Sequence, residues 1–169
     1  TPEELAAPFV SAESGVENPE AAIQGALDII AEQIAQNPDF RKLVRNAMWK
    51  YGRLRSRVVR TKAKKRTKFE DYYDFEENIT TIAPHRFLAI RRGEREGILK
   101  FRIEIDPTKT VSRILGHFDL KVTSPFAPRI KETVNDAYQR LLGPSIENDI
   151  RVELKARADR EAVRVFAEN

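Results

Sequence analysis

The sequence has no cysteine among its 169 residues, and it has only two histidines and seven glycines. Without cysteine, the chain can form neither a disulfide framework nor a thiolate zinc site. So few glycines leave little from which to build a backbone cradle for phosphate, and the sequence shows no glycine-rich phosphate loop and no nucleophile elbow. We therefore expect the chain not to be an enzyme, with no catalytic residue, no cofactor and no bound metal.

Long apolar runs are also missing. No run approaches the roughly 18 residues of a membrane span, and the first residues, TPEELAAPF, contain neither the basic nor the apolar part of a signal peptide. Charged residues make up 33% of the chain and hydrophobic residues 41%, which is typical of a globular protein. Because the absence of cysteine suits a reducing compartment, we expect a cytoplasmic protein with no membrane contact.

The histidines and the clustered acids are the remaining candidates for metal ligands. His85 follows a proline at a predicted helix start, and His117 follows a glycine that ends a predicted helix, so both are interpreted as capping or packing residues. The acids between Glu70 and Glu77 lack the glycine and the spacing of a calcium loop. We interpret them as a solvated helix face, as partners for basic side chains, or as a polar turn anchored by aromatics. A contribution of these acids to nuclease activity is a further alternative.

Positive charge is concentrated in one stretch from Arg41 to Phe69, which we call the basic segment. It holds 13 Lys or Arg in 29 residues and no acidic residue. The other 140 residues contain 17 basic and 26 acidic side chains, a net charge of −9, although the whole chain carries +4. A bound polyanion can offset the self-repulsion of such a block by displacing counterions. The first functional hypothesis is therefore nonspecific contact with nucleic acid, either RNA or DNA.

Nine cations of the basic segment are the candidate nucleic-acid-binding residues. Three of them alternate along a predicted strand, and most of the others lie in the block TKAKKRTK, which predicts an exposed loop. Four aromatics flank this loop, where exposed rings could stack on bases or, alternatively, belong to the core: Trp49, Tyr51, Tyr72 and Tyr73. The alternative for the cations is a solvated face paired with acids elsewhere. The nine are Arg53, Arg55, Arg57, Arg60, Lys62, Lys64, Lys65, Arg66 and Lys68.

Hydrophobic periodicity predicts a single, mainly α domain over residues 1–169, with several helices and a small two-stranded antiparallel β ribbon. Asn18-Pro19 and Asn37-Pro38 are helix starts, and the second helix is predicted to bury a face that runs from Phe40 to Tyr51. Alternation after Gly52 and from Ile98 to Ile105 predicts the two strands. Further helices are predicted from Pro84 to Gly93, from Pro107 to Gly116, from Pro128 to Leu141 and from Ile146 to Asn169, with Gly143-Pro144-Ser145 breaking the chain before the last one.

Three long blocks of sequence carry a resemblance to a known family. They are GALDIIAEQIAQNPDFRKLVRNAMWKYGRLRSRVV, KFEDYYDFEENITTIAPHRFLAIRRGEREGILKFRI and GPSIENDIRVELKARADREAVRVFAEN. Together they resemble the N-terminal helical region of the Tex-like bacterial transcription accessory proteins, in the order that the family has. The resemblance covers the chain from about Glu4 to Asn169.

This resemblance has implications for domain organisation. In the family, this region precedes a YqgF domain of ribonuclease H-like fold, helix-hairpin-helix units and an OB-fold that looks like the principal RNA binder. The resemblance therefore implies a fragment of a larger multidomain protein that ends just before the YqgF domain, with the rest of its own chain and the transcription machinery as expected partners. It supplies no catalytic residue. One departure is the block TKAKKRTK, which stands where the family commonly has a glycine-containing loop with several acids.

Two functions follow from these observations and remain alternatives. In the first, the chain is a helical scaffold of a Tex-like transcription accessory factor and contributes nonspecific nucleic-acid binding through the basic segment. In the second, the domain is purely architectural, positions the other nucleic-acid-binding modules and docks protein partners.

Overall fold

The computed structural model of the protein describes residues 1–64, 66–121 and 123–168. The chain divides into two compact units, one formed by Thr1–Val44 with Pro107–Pro144 and the other by Arg45–Asp106 with Ser145–Asn169. Most described residues are helical, and one small sheet is present, which confirms the mainly α fold class. Among the described residues, no helix combines the length and the apolar character that crossing a bilayer requires.

The elements in chain order begin and end as follows. The helices are α1 (Pro2–Ala6), α2 (Pro19–Gln36), α3 (Pro38–Tyr51), α4 (Pro84–Arg95), α5 (Thr108–Leu115), α6 (Ala127–Ala137) and α7 (Gly143–Ala167). The strands are β1 (Arg53–Val58), β2 (Asp74–Asn78) and β3 (Leu99–Glu104). Short 3₁₀ turns occupy Ala7–Phe9, Ala12–Ser14, Arg60–Lys62 and Glu70–Tyr72, and a π turn occupies Tyr138–Leu142.

The first unit is a helical core organised around α2. The side chain of Asn18 caps this helix by accepting a hydrogen bond from the backbone N–H of Ala21 at 2.9 Å, as its sequence predicted. Helix α2 packs against α1 and α6. His117 lies edge-on to Phe40 with ring centres 5.0 Å apart, and its Nδ1 is 2.9 Å from the carbonyl oxygen of Arg113. His117 thus contacts both an aromatic ring and a carbonyl at the end of α5, in agreement with its interpretation as a capping or packing residue.

The predicted break at Gly143-Pro144-Ser145 is wrong. Gly143 has helical angles, φ −58° and ψ −54°, and its N–H donates to the carbonyl of Tyr138, five residues earlier. Proline has no N–H, and its ring clashes with the carbonyl four residues before it in a regular α-helix. A wider π turn directly before Pro144 suits such a residue, so the glycine–proline pair alters the local helix geometry without ending it.

The second unit contains an antiparallel sheet with the strand order β2-β1-β3. The predicted pairing of β1 with β3 is confirmed, and Arg53 lies opposite Glu104. The prediction of only two strands is wrong, because β2 pairs with the other edge of β1. The sequence-based interpretations of the acids of β2 are a solvated helix face, partners for basic side chains, or a polar turn. Aspartate has a low strand propensity, so the local sequence carries little strand signal. Each pair of opposite charges on facing strands contributes about 0.2–1 kcal/mol to stability. Such pairs stabilise β2 beside the arginines of β1.

One face of the sheet is buried against helices of the same unit. The side chains of Leu54, Ser56, Leu99, Phe101 and Ile103 are buried there. Phe87 of α4 lies edge-on to Phe101 with ring centres 5.9 Å apart, and the guanidinium of Arg151 in α7 lies 4.0 Å from the centre of the same ring. Helix α7 also contributes Glu147, whose Oε1 accepts a hydrogen bond from the backbone N–H of Ile103 at 3.0 Å. The sheet is thus fixed by α4 and α7 on one side and exposes its other side.

Tyr51 departs from the prediction that it lies on the buried face of its helix. Its side chain is 60% exposed, whereas Val44 and Met48 on the same predicted face are buried. The chain turns into β1 at Gly52, where an added Cβ would lie 2.2 Å from the carbonyl oxygen of Met48 and 3.2 Å from Ile103 Cγ2. Tyr51 is the last residue of α3, so no further helical turn covers it. The centre of its exposed ring instead lies 5.2 Å from Nζ of Lys50.

Candidate nucleic-acid interface

The exposed side of the sheet, which we call the open face, presents charged side chains in three rows that run across the strands. Its members are Asp74, Glu76 and Asn78 on β2, Arg53, Arg55 and Arg57 on β1, and Lys100, Arg102 and Glu104 on β3. The register places Arg57 between Asp74 and Lys100. In the next row, Arg55 lies between Glu76 and Arg102. The face is therefore acidic at β2 and cationic over β1 and most of β3.

The three predicted cations of β1 are ion-paired with acids of the neighbouring strands. Arg57 lies 2.5 Å from Asp74, and Arg55 lies 3.3 Å from Glu76 and 3.2 Å from Glu104. Arg53 also pairs with Glu76. The interpretation of the acids as partners for the basic segment is confirmed for Asp74 and Glu76. Exposed pairs of this kind contribute about 0–1 kcal/mol each, so a phosphate can compete with the carboxylates.

Lys100 and Arg102 are cations of the open face that the sequence analysis did not include. Lys100 lies directly opposite Arg57, and Arg102 lies directly opposite Arg55. Both are exposed, and neither forms an ion pair with another residue in the described part of the chain. Like charges directly opposite each other destabilise a pair of strands. Two sequence signals together could have identified Lys100 and Arg102. They are the alternation of apolar and charged residues from Ile98 to Ile105 and the predicted pairing of that strand with β1.

Three predicted cations follow β1 directly. The N–H of Val59 donates to the carbonyl of Ile98 at 2.8 Å, so the chain leaves the sheet at the Lys100 end of the open face. Arg60 and Lys62 then lie in a 3₁₀ turn, and Lys64 follows it. None of these three forms an ion pair with another residue of the ranges that the structure describes. They are available to extend the cationic surface beyond the sheet.

The remaining predicted cations differ in their surroundings. Lys65 lies outside the described residues. Arg66 is 3.8 Å from Glu70, and Lys68 is 3.2 Å from Glu96. Hydrogen bonds from Arg92 and Lys68 hold the pKa of Glu96 below its ordinary value. Lys68 is therefore already engaged with an acid, in contrast to the three cations that follow β1.

The aromatics near the basic segment are mostly engaged with neighbouring groups. Trp49 lies under the guanidinium of Arg157, 4.2 Å from the ring centre. Tyr72 packs edge-on to Phe75 at 5.3 Å, and the hydroxyl of Tyr73 forms a hydrogen bond with the side chain of Thr67 at 2.9 Å. Of the four flanking aromatics, Tyr51 alone is exposed. Of these four aromatics, stacking on bases therefore has one candidate residue, Tyr51.

Among residues 1–64, 66–121 and 123–168, no group of three or more Asp, Glu or His side chains is arranged to hold a metal ion. The acids Asp74 and Glu76 instead contact arginine side chains.

Comparison with known proteins agrees with the resemblance that the sequence blocks suggested. A family model described as Tex central region-like matches residues 1–166. The chain is 40% identical over 163 residues to the uncharacterized protein YdcI of Bacillus subtilis, covering 95% of this chain and 22% of that protein. It is 33% identical over 182 residues to Protein tex of Bordetella pertussis, covering 99% of this chain and 23% of that protein.

A third relative carries a functional name. The chain is 29% identical over 154 residues to the Transcriptional accessory protein Tex of Neisseria gonorrhoeae, covering 88% of this chain and 20% of that protein. The chain thus spans between a fifth and a quarter of the length of these curated relatives. Since the family model covers nearly all of its residues, the chain belongs to the Tex central region-like family, which confirms the resemblance to Tex proteins.

Proposed function

We propose that this chain contributes nonspecific nucleic-acid binding to a Tex-like transcription accessory protein through the open face and the cations that follow β1. The observation that carries the proposal is the pair of like-charged contacts across the strands, Arg55 opposite Arg102 and Arg57 opposite Lys100. Opposed like charges are unfavourable in a free sheet. Phosphate groups bound between them replace repulsion with attraction and release counterions from the nucleic acid.

The chemistry of the open face fits contact with phosphates. Its cations are arginines and lysines on two neighbouring strands of a sheet, and their long side chains can reach oxygens at different positions along a backbone. Such binding is independent of sequence and falls with salt, with a slope of about −0.9 per phosphate contact on duplex DNA and about −0.7 on single strands. RNA and DNA are both ligands on this proposal.

The test compares a charge reversal on the open face with a matched reversal elsewhere. Lys100→Glu with Arg102→Glu removes two cations that form no ion pair with any residue that the structure describes. Lys109→Glu with Lys131→Glu makes the same change of net charge at exposed positions of the first unit. The assay is fluorescence anisotropy of labelled single-stranded RNA and duplex DNA, from low to physiological salt. We expect the first variant to lose affinity for every sequence and to flatten the salt slope by about 1.4 to 1.8, or two contacts.

Three outcomes of this experiment have distinct meanings. Weak binding by the first variant and nearly unchanged binding by the second support the open face as the interface. Equal losses in both variants mean that net charge alone attracts the nucleic acid. No binding by the unmodified chain at low salt contradicts the proposal.

The second candidate function is a purely architectural domain that positions other modules of a Tex-like protein and docks protein partners. The observation that favours it is the neutralisation of Arg53, Arg55 and Arg57 by carboxylates of β2 and β3. Ion pairs between neighbouring strands stabilise the sheet itself and require no ligand. This function is supported if the chain is folded and monodisperse but binds neither RNA nor DNA at low salt.

We further propose that the chain acts without catalysis. The support is that Asp74 and Glu76, two acids of the candidate nuclease cluster, are occupied by arginines of β1. Labelled RNA and DNA incubated with the chain and Mg²⁺ or Mn²⁺ should remain intact. Cleavage that disappears in the Asp74→Ala variant would overturn this proposal.

A further inference from the structure

An apolar groove of about 640 Å³ opens on the first unit, between α1, α2 and the start of α6. Its residues include Leu5, Phe9, Ala22, Ala26, Ile29 and Ile130. Leu5 is 56% exposed, Ile29 58% and Phe9 72%. Contiguous apolar surface of this kind is uncommon on soluble domains and marks a site of interaction.

The groove exists because α2 has apolar residues on two sides. Ile23, Ala31 and Ile34 are buried in the core of the unit. A second row, at Ala22, Ala26 and Ile29, repeats at helical spacing and lines the groove. A helix that only packed on its own core would need the first row alone. The second row therefore supplies a surface of the length and periodicity that another helix can match.

The charge around the groove is mainly negative, with Arg129 as a cation of the neighbouring polar cleft. Residues 1–40, which provide α1 and α2, contain eight Asp or Glu and no Lys or Arg. A polar cleft of about 530 Å³ shares Leu27 with the groove and adds further acids. We call these acids the acidic rim: Glu20, Asp28, Glu132 and Asp136. Arg129 pairs with Glu20 at 2.7 Å and Arg140 with Asp136 at 3.0 Å, while Asp28 and Glu132 form no ion pair within the described residues.

This combination selects among possible occupants. An acidic rim repels nucleic acid and anionic lipid surfaces, and it attracts Lys and Arg. A second copy of the chain would bring the same acidic segment against itself in a two-fold contact, where like charges oppose binding. An amphipathic helix with basic borders satisfies both the apolar groove and its rim.

We propose that the apolar groove binds an amphipathic helix of a partner protein, with apolar residues at positions i, i+3 or i+4 and i+7 and with Lys or Arg on its borders. The groove belongs to the first unit, and the open face belongs to the second unit. This proposal therefore does not depend on the function proposed above. The apolar row of the partner covers Leu5 and Ile29, and its cations face Asp28 and Glu132.

The probe is a designed, labelled 18-residue helix with a leucine row and lysine borders, titrated with the 169-residue chain in fluorescence anisotropy. Two comparison peptides separate shape from charge: one replaces each Lys by Glu, and the other scrambles the same residues so that the leucine row is lost. We expect the basic amphipathic peptide to bind at least about tenfold more tightly than either, since both the buried row and the charge match contribute.

Matched variants locate the site. Leu5→Ser with Ile29→Ser removes exposed apolar side chains without changing charge, and should weaken binding by about tenfold or more. Val152→Ser with Val163→Ser changes similarly exposed side chains of α7 outside the groove, and should change affinity by less than about twofold. Asp28→Asn with Glu132→Gln should weaken binding at low salt more than at high salt. Circular dichroism shows whether each variant remains folded.

Several results would overturn the proposal. Equal binding of the scrambled peptide would show attraction by net charge alone. Unchanged affinity of the Leu5 and Ile29 variant would place the peptide elsewhere. Self-association that sedimentation equilibrium detects and that the same variant abolishes would identify a second copy as the occupant.

Discussion

Removing the two acids of β2 should strengthen binding of nucleic acid to the open face. Asp74 and Glu76 hold the three arginines of β1 in ion pairs. The double substitution Asp74→Asn with Glu76→Gln preserves side-chain size while it removes two negative charges. A phosphate that approaches the arginines then meets no competing carboxylate on β2, so we expect a higher affinity for single-stranded RNA and for duplex DNA alike.

The size of the gain follows from the short distances across the sheet. A phosphate bound at a β1 arginine would lie on the order of 7 Å from the competing carboxylate, where two unit charges in water interact by about 0.6 kcal/mol. The two acids together then oppose binding by about 1 kcal/mol at low salt, or roughly fivefold in affinity, and by about half that free energy at 0.1 M salt. Each arginine that gains a phosphate contact also steepens the salt slope by about 0.7 to 0.9.

Anisotropy titrations at several salt concentrations measure both quantities. The matched control is Glu132→Gln with Asp136→Asn, which also raises the net charge by two and also frees an ion-paired arginine, Arg140, but in the first unit. Thermal unfolding checks the cost to the fold, since each exposed pair contributes about 0–1 kcal/mol. No gain in affinity, or an equal gain in the control, would refute the reasoning that β2 limits binding at the open face.

Three further predictions concern stability and ionisation. The buried hydroxyl of Ser56 has no hydrogen-bond partner among the described residues, so Ser56→Ala should raise the free energy of unfolding by about 1 kcal/mol in urea titrations. Gly52→Ala should lower the free energy of unfolding by about 1–3 kcal/mol because the added methyl meets backbone atoms. Gly25→Ala, in open space within α2, should raise that free energy by about 0.5–1 kcal/mol. A stabilising Gly52→Ala together with a destabilising Gly25→Ala would contradict the packing described. Lys68→Ala should raise the depressed pKa of Glu96 towards its ordinary value in a carboxyl NMR titration. Because that folded-state pKa is lowered, the stabilisation from the pair is present above the unfolded pKa and is lost as the pH falls through the folded pKa.

Local chemistry made much of the helical fold predictable. Asn18 and Asn37 each precede a proline, and both side chains accept hydrogen bonds from backbone N–H groups of the helix that follows. Such caps involve neighbours in sequence, so a single sequence reveals them. The pairing of β1 with β3 was predictable for a similar reason, because both strands alternate between buried and exposed residues.

The open face was predictable only in part. The basic segment identified the three arginines of β1, but their carboxylate partners and the cations Lys100 and Arg102 come from residues that are distant in sequence. Counting charge along the chain does not show which charges become neighbours across a sheet. Strand β2 was missed for the same reason, since its stability depends on cross-strand charge pairs and not on a strong apolar alternation.

The hydrogen bond from Ile103 to Glu147 has a consequence for how partners can approach this sheet. Edge strands with free N–H groups invite added strands, which leads to sheet extension or aggregation. Helix α7 occupies one such group on β3 with a carboxylate, while the opposite edge is a five-residue strand with acidic side chains, a type of edge that discourages further pairing. Growth of the sheet by strand addition is therefore blocked at Ile103 and disfavoured at β2. A ligand that binds this sheet therefore contacts its open face, across the charged rows, and not its edges.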